Sequence, residues 1–496
     1  MSNNLYDLII ELTPGEKKRV SHRLINPAGK SLSQSHFQSV FQIIKEKKVT
    51  SDTQLKAHLG NLNIRNLTAT KYQLYHRILN IVSQDLRLFE ARYYRNAIKI
   101  EYLNNKGLFK AALKMIRSLK TEVAKHERFL FKTDLYFKEI KAHIGLKDYD
   151  ECLRCFEEYQ INETTDSKDA QTFLRAYNDY HRINLHYLRK GAARSSKDSV
   201  YYESFIQSRD EEIESSTLWN STNYFNLQGL SVAHFAVGNT PKSYDLRSRI
   251  IQIFEATKHE MDSDLSQYVE VLYRYVAILI ISEKHDEVDN YMESFKELKP
   301  RNLEEEIRVK ERYYNLLLLK SLMTKNFEEA IPIIKAFEKE YKRKSFTLSH
   351  SLKPILLGLC ASISMNLKDY KKALYWNNQI LNSPDYNHYR EDLVFSADLF
   401  ELIIHFELGN VRLLGYRLES FQRKLKSKQN LFRLEEILIR AIHQLLDADN
   451  DKHRSSIFHE LGAEIEKYKD DPFEKDLLNK FDLVAYCKSK AEHRLQ

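Results

Sequence analysis

The sequence predicts an all-α fold in which helical hairpins stack into a right-handed superhelix behind a small helical N-terminal cap. A short turn pattern recurs at intervals of about 40–46 residues from residue 107 almost to the end of the chain. Glycine and proline number only 12 and 8 among 496 residues, far fewer than a β-rich chain needs for its turns. Aromatic residues make up 11% of the chain, which is ample for a core between long helices.

Residues 1–85 lie outside the repeat and are expected to form the cap. A short helix over 5–12 is followed by Thr13, Pro14 and Glu16, which suit an N-cap, a first helical position and a capping box. Apolar residues at helical spacing predict a further helix over 36–48. A fourth helix is expected from Ser51 to Gly60, and a long helical region is expected from Leu67 onward.

Residues 86–496 are expected to form the stacked hairpins. Each turn begins at a marker residue, often with an aromatic residue two positions later to fill the gap between helices. A small residue five positions after the marker lets the helices approach closely. The intervals between markers include one double period, so a degenerate unit is expected near Gly191 and a last one at Asp447–Asp451, giving about eight or nine hairpins. The markers are Gly107, Lys147, Gly238, Glu283, Lys325, Lys368 and Gly409.

This turn pattern resembles the tetratricopeptide repeat, whose second helix carries a similar Gly-x-Tyr-x-x-Ala-Leu run, and the resemblance covers 86–445. The period here is longer than the usual ~34 residues, and the signature of the first helix is mostly missing. The run from Leu5 to Arg19 is also similar to the start of a large bacterial family of uncharacterised tetratricopeptide-like proteins. That resemblance implies the fold and a cytoplasmic location and brings no activity with it.

Composition and motifs point to a cytoplasmic binding protein. The N-terminus has neither the basic start nor the apolar stretch of a signal peptide, and no window is apolar enough to span a membrane. Cys152 and Cys155 form a Cys-x-x-Cys, but no second ligand pair follows at zinc-site spacing, so core packing is expected. No catalytic or dinucleotide-binding motif occurs, so neither an enzyme nor a cofactor or metal site is expected.

Positive charge is concentrated at one end of the chain. The formal net charge is +8, yet residues 1–150 hold 27 Lys and Arg against 14 Asp and Glu, a net of +13 that leaves −5 elsewhere. Two basic rows stand out at helical spacing. They are expected to be either a solvated convex face or a stripe that binds an acidic partner. The rows are Arg92, Arg95 and Lys99, then Lys110, Lys114 and Arg117.

The predicted function is protein–protein interaction, because the groove of such a superhelix binds peptides, helices or partner domains. The expected partner is a protein or peptide, with an acidic segment if the basic rows take part. The alternative is a nucleic-acid-binding or transcriptional regulator, in which three helices within 36–80 form a helix-turn-helix on a repeat-built sensor body. Its nucleic-acid contacts would be Arg65, Asn66, Thr70, Lys71 and Gln73.

Overall fold

The computed structural model describes the chain except for residues 1–3, 25–31, 60–63, 65, 84–88, 126–128, 214–220, 257–264, 301–302, 344, 429–432, 472 and 493–496. Throughout the described residues the regular structure is helical, with no strand, as the sequence predicts. The chain divides into two compact units. Unit 1 is Met1–Ser167 with Asp262–Asp264 and Pro300–Glu304, and unit 2 is Lys168–Met261, Leu265–Lys299 and Glu305–Gln496.

The cap, in unit 1, is a bundle in which the first three helices all pack against the fifth. The predicted capping box is confirmed: Thr13 N donates to Glu16 Oε2 at 2.8 Å, and Glu16 N donates to Thr13 Oγ1 at 3.2 Å. Tyr6, Phe41 and Leu74 are fully buried in the shared core. The helices are α1 (Asn4–Glu11), α2 (Pro14–Leu24), α3 (Leu32–Lys47), α4 (Asp52–Leu59) and α5 (Leu67–Ser83).

The remaining helices pack mostly with their neighbours in sequence, as hairpins do. Unit 1 continues with α6 (Phe89–Asn105), α7 (Phe109–Lys125), α8 (Phe129–Leu146) and the first part of α9 (Tyr149–Lys190). Unit 2 continues with α10 (Ser196–Ile213), α11 (Ser221–Ala236), α12 (Thr240–Ala256), α13 (Leu265–Ile281), α14 (His285–Glu297), α15 (Leu303–Met323), α16 (Phe327–Tyr341), α17 (Lys353–Asn366), α18 (Tyr370–Leu381), α19 (Glu391–Glu407), α20 (Val411–Lys428), α21 (Arg433–Asp447), α22 (Asp451–Glu466), α23 (Lys475–Lys480) and α24 (Leu483–Glu492).

The predicted turn markers share one backbone geometry. All seven have positive φ, from 57° at Glu283 to 81° at Gly238. At each one the marker N–H bonds a carbonyl three residues back and the next N–H bonds a carbonyl five residues back, as Lys368 and Asp369 do at 2.9 Å each. This is the Schellman motif, which satisfies carbonyls left over at a helix end. The positions of the turns are therefore confirmed.

A turn also lies at Gly191, near which a degenerate unit is expected, and its geometry differs from that of the markers. Gly191 has φ +84° and its N–H bonds only Tyr187 O, at 2.8 Å. The helix that leads to it, α9, is a single helix of 42 residues. No glycine or proline stands between 149 and 190, so no residue there breaks the helix.

Close packing at the turns explains the aromatic and small residues of the pattern. A Cβ added to Gly145 of α8 would overlap the Phe109 ring, so this ring rests on bare backbone of the next hairpin. The small residues of the pattern are fully buried where the helices meet. They are Ala112, Ser243, Ala330 and Ala373.

Unit 2 makes contacts between parts that are far apart in sequence. Lys190 Nζ lies 2.9 Å from Glu391 Oε1, and Arg194 lies 2.7 Å from Glu435 and 3.3 Å from Glu474. The turn after α9 therefore touches α19, α21 and the segment before α23. These contacts close unit 2 on itself, although roughly five hairpins separate the residues along the chain.

Candidate partner-binding surface

Helix α6 buries one face and exposes apolar side chains on the other. Tyr93 stacks on Phe131 with ring centroids 4.0 Å apart, and its hydroxyl donates to Asp134 Oδ2 at 2.6 Å, which anchors α6 to α8. Away from the core, Tyr94, Ile98 and Tyr102 are 57%, 69% and 62% exposed, and the Tyr94 ring also meets the Phe131 ring edge-on with centroids 5.6 Å apart. Their i, i+4, i+8 spacing places them in one line along the helix.

Helix α8 carries a matching exposed line. Phe137 and Ile144 are 60% and 53% exposed and stand seven residues apart, two helical turns. Between them Lys141 Nζ reaches Glu101 Oε1 of α6 at 2.5 Å and Asn105 Oδ1 at 2.9 Å. These bonds hold the two lines side by side. We call the result the α6–α8 surface, formed by Tyr94, Ile98, Tyr102, Phe137 and Ile144.

The first predicted basic row lies on α6 beside this surface. Arg92 and Lys99 are exposed, and Arg95 is half-buried. Arg92 Nε lies 3.3 Å from Glu122 Oε2 of α7, and Arg95 Nη1 donates to Ser83 O at 3.0 Å. Within the described part of the chain, Lys99 takes part in no ion pair. The row therefore flanks the exposed aromatic line and leaves at least one cation available to a ligand.

The second predicted row, Lys110, Lys114 and Arg117, is exposed along α7, as the repeat register predicts. None of the three forms an ion pair with a described residue. The two rows are on different helices, and the pair between Arg92 and Glu122 joins those helices. Residues between the α7 cations face the core: Ala112, Leu113 and Ile116.

The residues predicted as alternative nucleic-acid contacts do not form one exposed set. Lys71 is 5% exposed, and its ammonium lies 2.5 Å from Asp52 Oδ1 inside the cap. The hydrogen bond from Lys71 holds the pKa of Asp52 below its usual value. Lys71 is therefore engaged inside the cap, and its role as a nucleic-acid contact stays a prediction. Asn66 caps α5, accepting from Ala69 N at 2.9 Å.

Of the other alternative contacts, Thr70 donates its hydroxyl to Asn66 O at 2.9 Å, and Gln73 is exposed on α5. Arg65 lies outside the described residues. Sequence inspection missed the burial of Lys71 because its partner, Asp52, belongs to a different helix, and no local pattern pairs the two.

The Cys-x-x-Cys is buried, and among the described residues only Cys155 joins a cluster of possible metal ligands. Cys155 on α9 meets Glu139 and His143 of α8, with one ligand atom of each within 4.8 Å of the others. The i, i+4 spacing of Glu139 and His143 in the sequence could have indicated this cluster. These three side chains could hold a transition metal, but the ammonium of Lys120 already pairs with Glu139. Cys152 is buried without joining the cluster.

Unit 2 contains a charged cluster that the sequence did not indicate. Glu270 of α13 accepts from Arg274 Nε at 2.7 Å and from Arg312 Nη2 of α15 at 2.8 Å. Burial alone would raise the pKa of Glu270, but the two guanidinium groups outweigh it and lower the pKa to about 2. Arg312 Nη1 also donates to Glu311 at 2.7 Å. The residues come from helices some 40 positions apart, so only folding reveals them.

A cleft of about 590 Å³ lies in unit 2 between the turns at Lys325 and Lys368 and helix α24. Its charges are largely satisfied within the chain. Lys325 Nζ lies 2.8 Å from Asp482, and Glu407 accepts from Tyr486 and Lys490 at 2.5 Å each. The charged side chains of the cleft are therefore less available to a ligand than Lys99 beside the α6–α8 surface.

Comparison with known proteins adds no family: no protein-family model matches the chain, and no curated protein is similar to it in sequence. Among the described helices, none combines the length and the apolar character needed to cross a membrane.

Proposed function

We propose that this protein is a non-enzymatic interaction scaffold, and that the α6–α8 surface docks an amphipathic segment of a partner protein that carries acidic residues beside its apolar face. The proposal includes a tetratricopeptide-like, right-handed superhelix working in the cytoplasm. The observation that carries it is the exposure of five large apolar side chains on two neighbouring helices. A contiguous exposed apolar surface is typical of interaction sites.

Charge complementarity supports the acidic character of the partner. Arg95 and Lys99 lie along the flank of the aromatic line, and the ammonium of Lys106 lies 5.7 Å from the ring centroid of Tyr102. A helix laid along this surface would place apolar side chains against Tyr94, Ile98 and Tyr102. Carboxylates on its neighbouring face would then meet the cations, which favours association rate and orientation more than affinity.

The alternative regulator function has weaker support. A DNA-reading helix needs exposed donors, and Lys71 is instead paired with Asp52. A titration of the protein with labelled duplex DNA at several salt concentrations tests this alternative, and binding with a steep salt dependence would favour the regulator over the scaffold.

The scaffold is tested by affinity purification from the native cell under nuclease treatment, followed by titration of the captured protein. The test variant replaces Ile98 by Asp, and the matched control replaces Val411, which is 60% exposed on α20, by Asp. We expect Ile98→Asp to lose the partner, since a buried unpaired carboxylate disfavours docking, while Val411→Asp keeps it. Equal capture by both variants would overturn the assigned surface.

Two further measurements locate the partner on the surface. Tyr94 and Tyr102 should be labelled by hydroxyl radicals in the free protein and protected in the complex, because both rings are exposed. Charge reversal of Arg95 and Lys99 should weaken binding and flatten its dependence on salt. Unchanged labelling of both tyrosines in a saturated complex would contradict the proposal.

A further inference from the structure

Arg247 of α12 is a buried cation that has no carboxylate partner in the part of the chain that the structure describes. Its side chain is 8% exposed, its Nη1 donates to the backbone Arg274 O at 2.9 Å, and its Nε has no hydrogen-bond partner. Among the described residues no acidic group forms an ion pair with it. The guanidinium carbon also lies 5.1 Å from the centroid of the Phe235 ring.

The nearby acids are occupied by other donors. Glu270 is shared between Arg274 and Arg312. Glu311 accepts from Arg312 Nη1 at 2.7 Å and from Ser349 N at 2.8 Å. Neither carboxylate forms an ion pair with Arg247, which leaves the Arg247 charge without an acidic partner among the described residues.

Such an arrangement is costly unless something else supplies the counter-charge. A buried ion loses its hydration, and a carbonyl and a ring face replace only part of it. Burial, with a smaller contribution from Arg274, lowers the pKa of Arg247 to about 10, so the side chain still carries its charge at neutral pH.

The free edge of this guanidinium has the geometry of an anion site. Nη1 is used by the carbonyl of Arg274, which leaves Nε and Nη2 on the other edge. These two N–H groups point in parallel and match two oxygens of one carboxylate or phosphate. The Glu270 side chain, which pairs with Arg274, is 32% exposed, so solvent reaches the cluster at that residue.

We propose that Arg247, with Arg274 beside it, binds one oxyanion through its Nε–Nη2 edge, either inorganic phosphate or the carboxylate of a ligand. The site lies in unit 2 and does not depend on the partner proposed for the α6–α8 surface.

The test is urea unfolding, with phosphate or acetate each compared with chloride at equal ionic strength. The test variant is Arg247→Gln, and Arg249→Gln on the same helix is the control that loses the same charge. Specific binding multiplies the folding equilibrium constant by 1 + [L]/Kd, where [L] is the anion concentration. An anion concentration ten times Kd therefore shifts this constant about elevenfold. Phosphate also stabilises proteins without binding, and that effect is common to all three proteins.

We expect the anion-specific shift in the wild type and in Arg249→Gln and its loss in Arg247→Gln. A shift with phosphate alone assigns a phosphate site, a shift with acetate alone assigns a carboxylate site, and a shift with both assigns a general oxyanion site. The same shift in all three proteins, or none in any, overturns the proposal.

A direct measurement covers the case in which Arg247→Gln does not fold. Equilibrium dialysis of the wild-type protein with labelled phosphate should show saturable binding of one ion per chain, displaced by acetate if the site takes carboxylates. The proposal would also be overturned by two results together. Phosphate uptake would be purely linear and not displaced by acetate, and acetate would not shift the urea unfolding midpoint of the wild type.

Discussion

Replacing Gly191 by alanine should weaken the closure of unit 2 more than a change at a comparable turn. Gly191 has φ +84°, where a side chain costs about 1–2 kcal/mol. Its added Cβ would also lie 2.5 Å from Asp392 Cγ. Asp392 is buried and held by Arg390 at 2.7 Å and 2.9 Å, so it has little freedom to move aside.

The matched control is Gly409→Ala. Gly409 has φ +68° but nothing within 4 Å of an added Cβ, so alanine there causes backbone strain without a clash. Both substitutions restrict the unfolded chain equally, and that contribution cancels in the comparison. The clash at Gly191 then adds about 1–3 kcal/mol, the usual cost of overpacking a filled site.

Urea unfolding measures this difference through Trp376, which is fully buried in unit 2, in a background with the other tryptophan, Trp219, replaced by phenylalanine. We expect Gly191→Ala to unfold at clearly lower urea than Gly409→Ala. Equal midpoints would refute the inference that contacts around the turn at Gly191 stabilise unit 2.

Three further outcomes are expected. Gly145→Ala should destabilise unit 1 by about 1–3 kcal/mol because its Cβ would meet the Phe109 ring, and Phe109→Leu should restore part of that loss, as a double-mutant cycle in urea would measure. Glu270 has a pKa lowered to about 2, so its contribution to the free energy of unfolding is complete above its unfolded pKa and disappears as pH falls toward 2. Glu270→Gln should therefore flatten the dependence of the free energy of unfolding on pH over that acidic range. Burial raises the pKa of Cys360 and raises that of Cys487 to about 12. Neither thiol should therefore react with Ellman's reagent at pH 8 until urea unfolds the chain. Fast reaction of these thiols in the native state would contradict their burial.

The positions of the turns were accessible from the sequence because the interactions that form them are local. A Schellman turn involves six consecutive residues, and its aromatic and small residues follow within five more. Even lysine markers such as Lys147 and Lys368, which adopt positive φ at some cost, were recognisable from the residues that follow them. The capping box at Thr13 and Glu16 is equally local.

Helix α6 shows where the local pattern ends. Its apolar residues surround most of the helix, so periodicity alone does not tell which of them are covered. Packing against α7 and α8 buries Tyr93 and Ile100 and leaves Tyr94, Ile98 and Tyr102 in solvent. Sequence inspection accordingly found the cations of this helix and missed the apolar line beside them.

The all-α class, the hairpin period and the residues at which the chain turns can be read from the amino-acid order alone, because they depend on contacts within about ten residues. The packing of helices pairs Lys71 inside the cap and leaves Arg247 without a carboxylate among the described residues. It alone also brought the turn at Gly191 against α19. Burial and charge pairing depend on residues that are distant in the chain, and their positions are set by how whole helices pack.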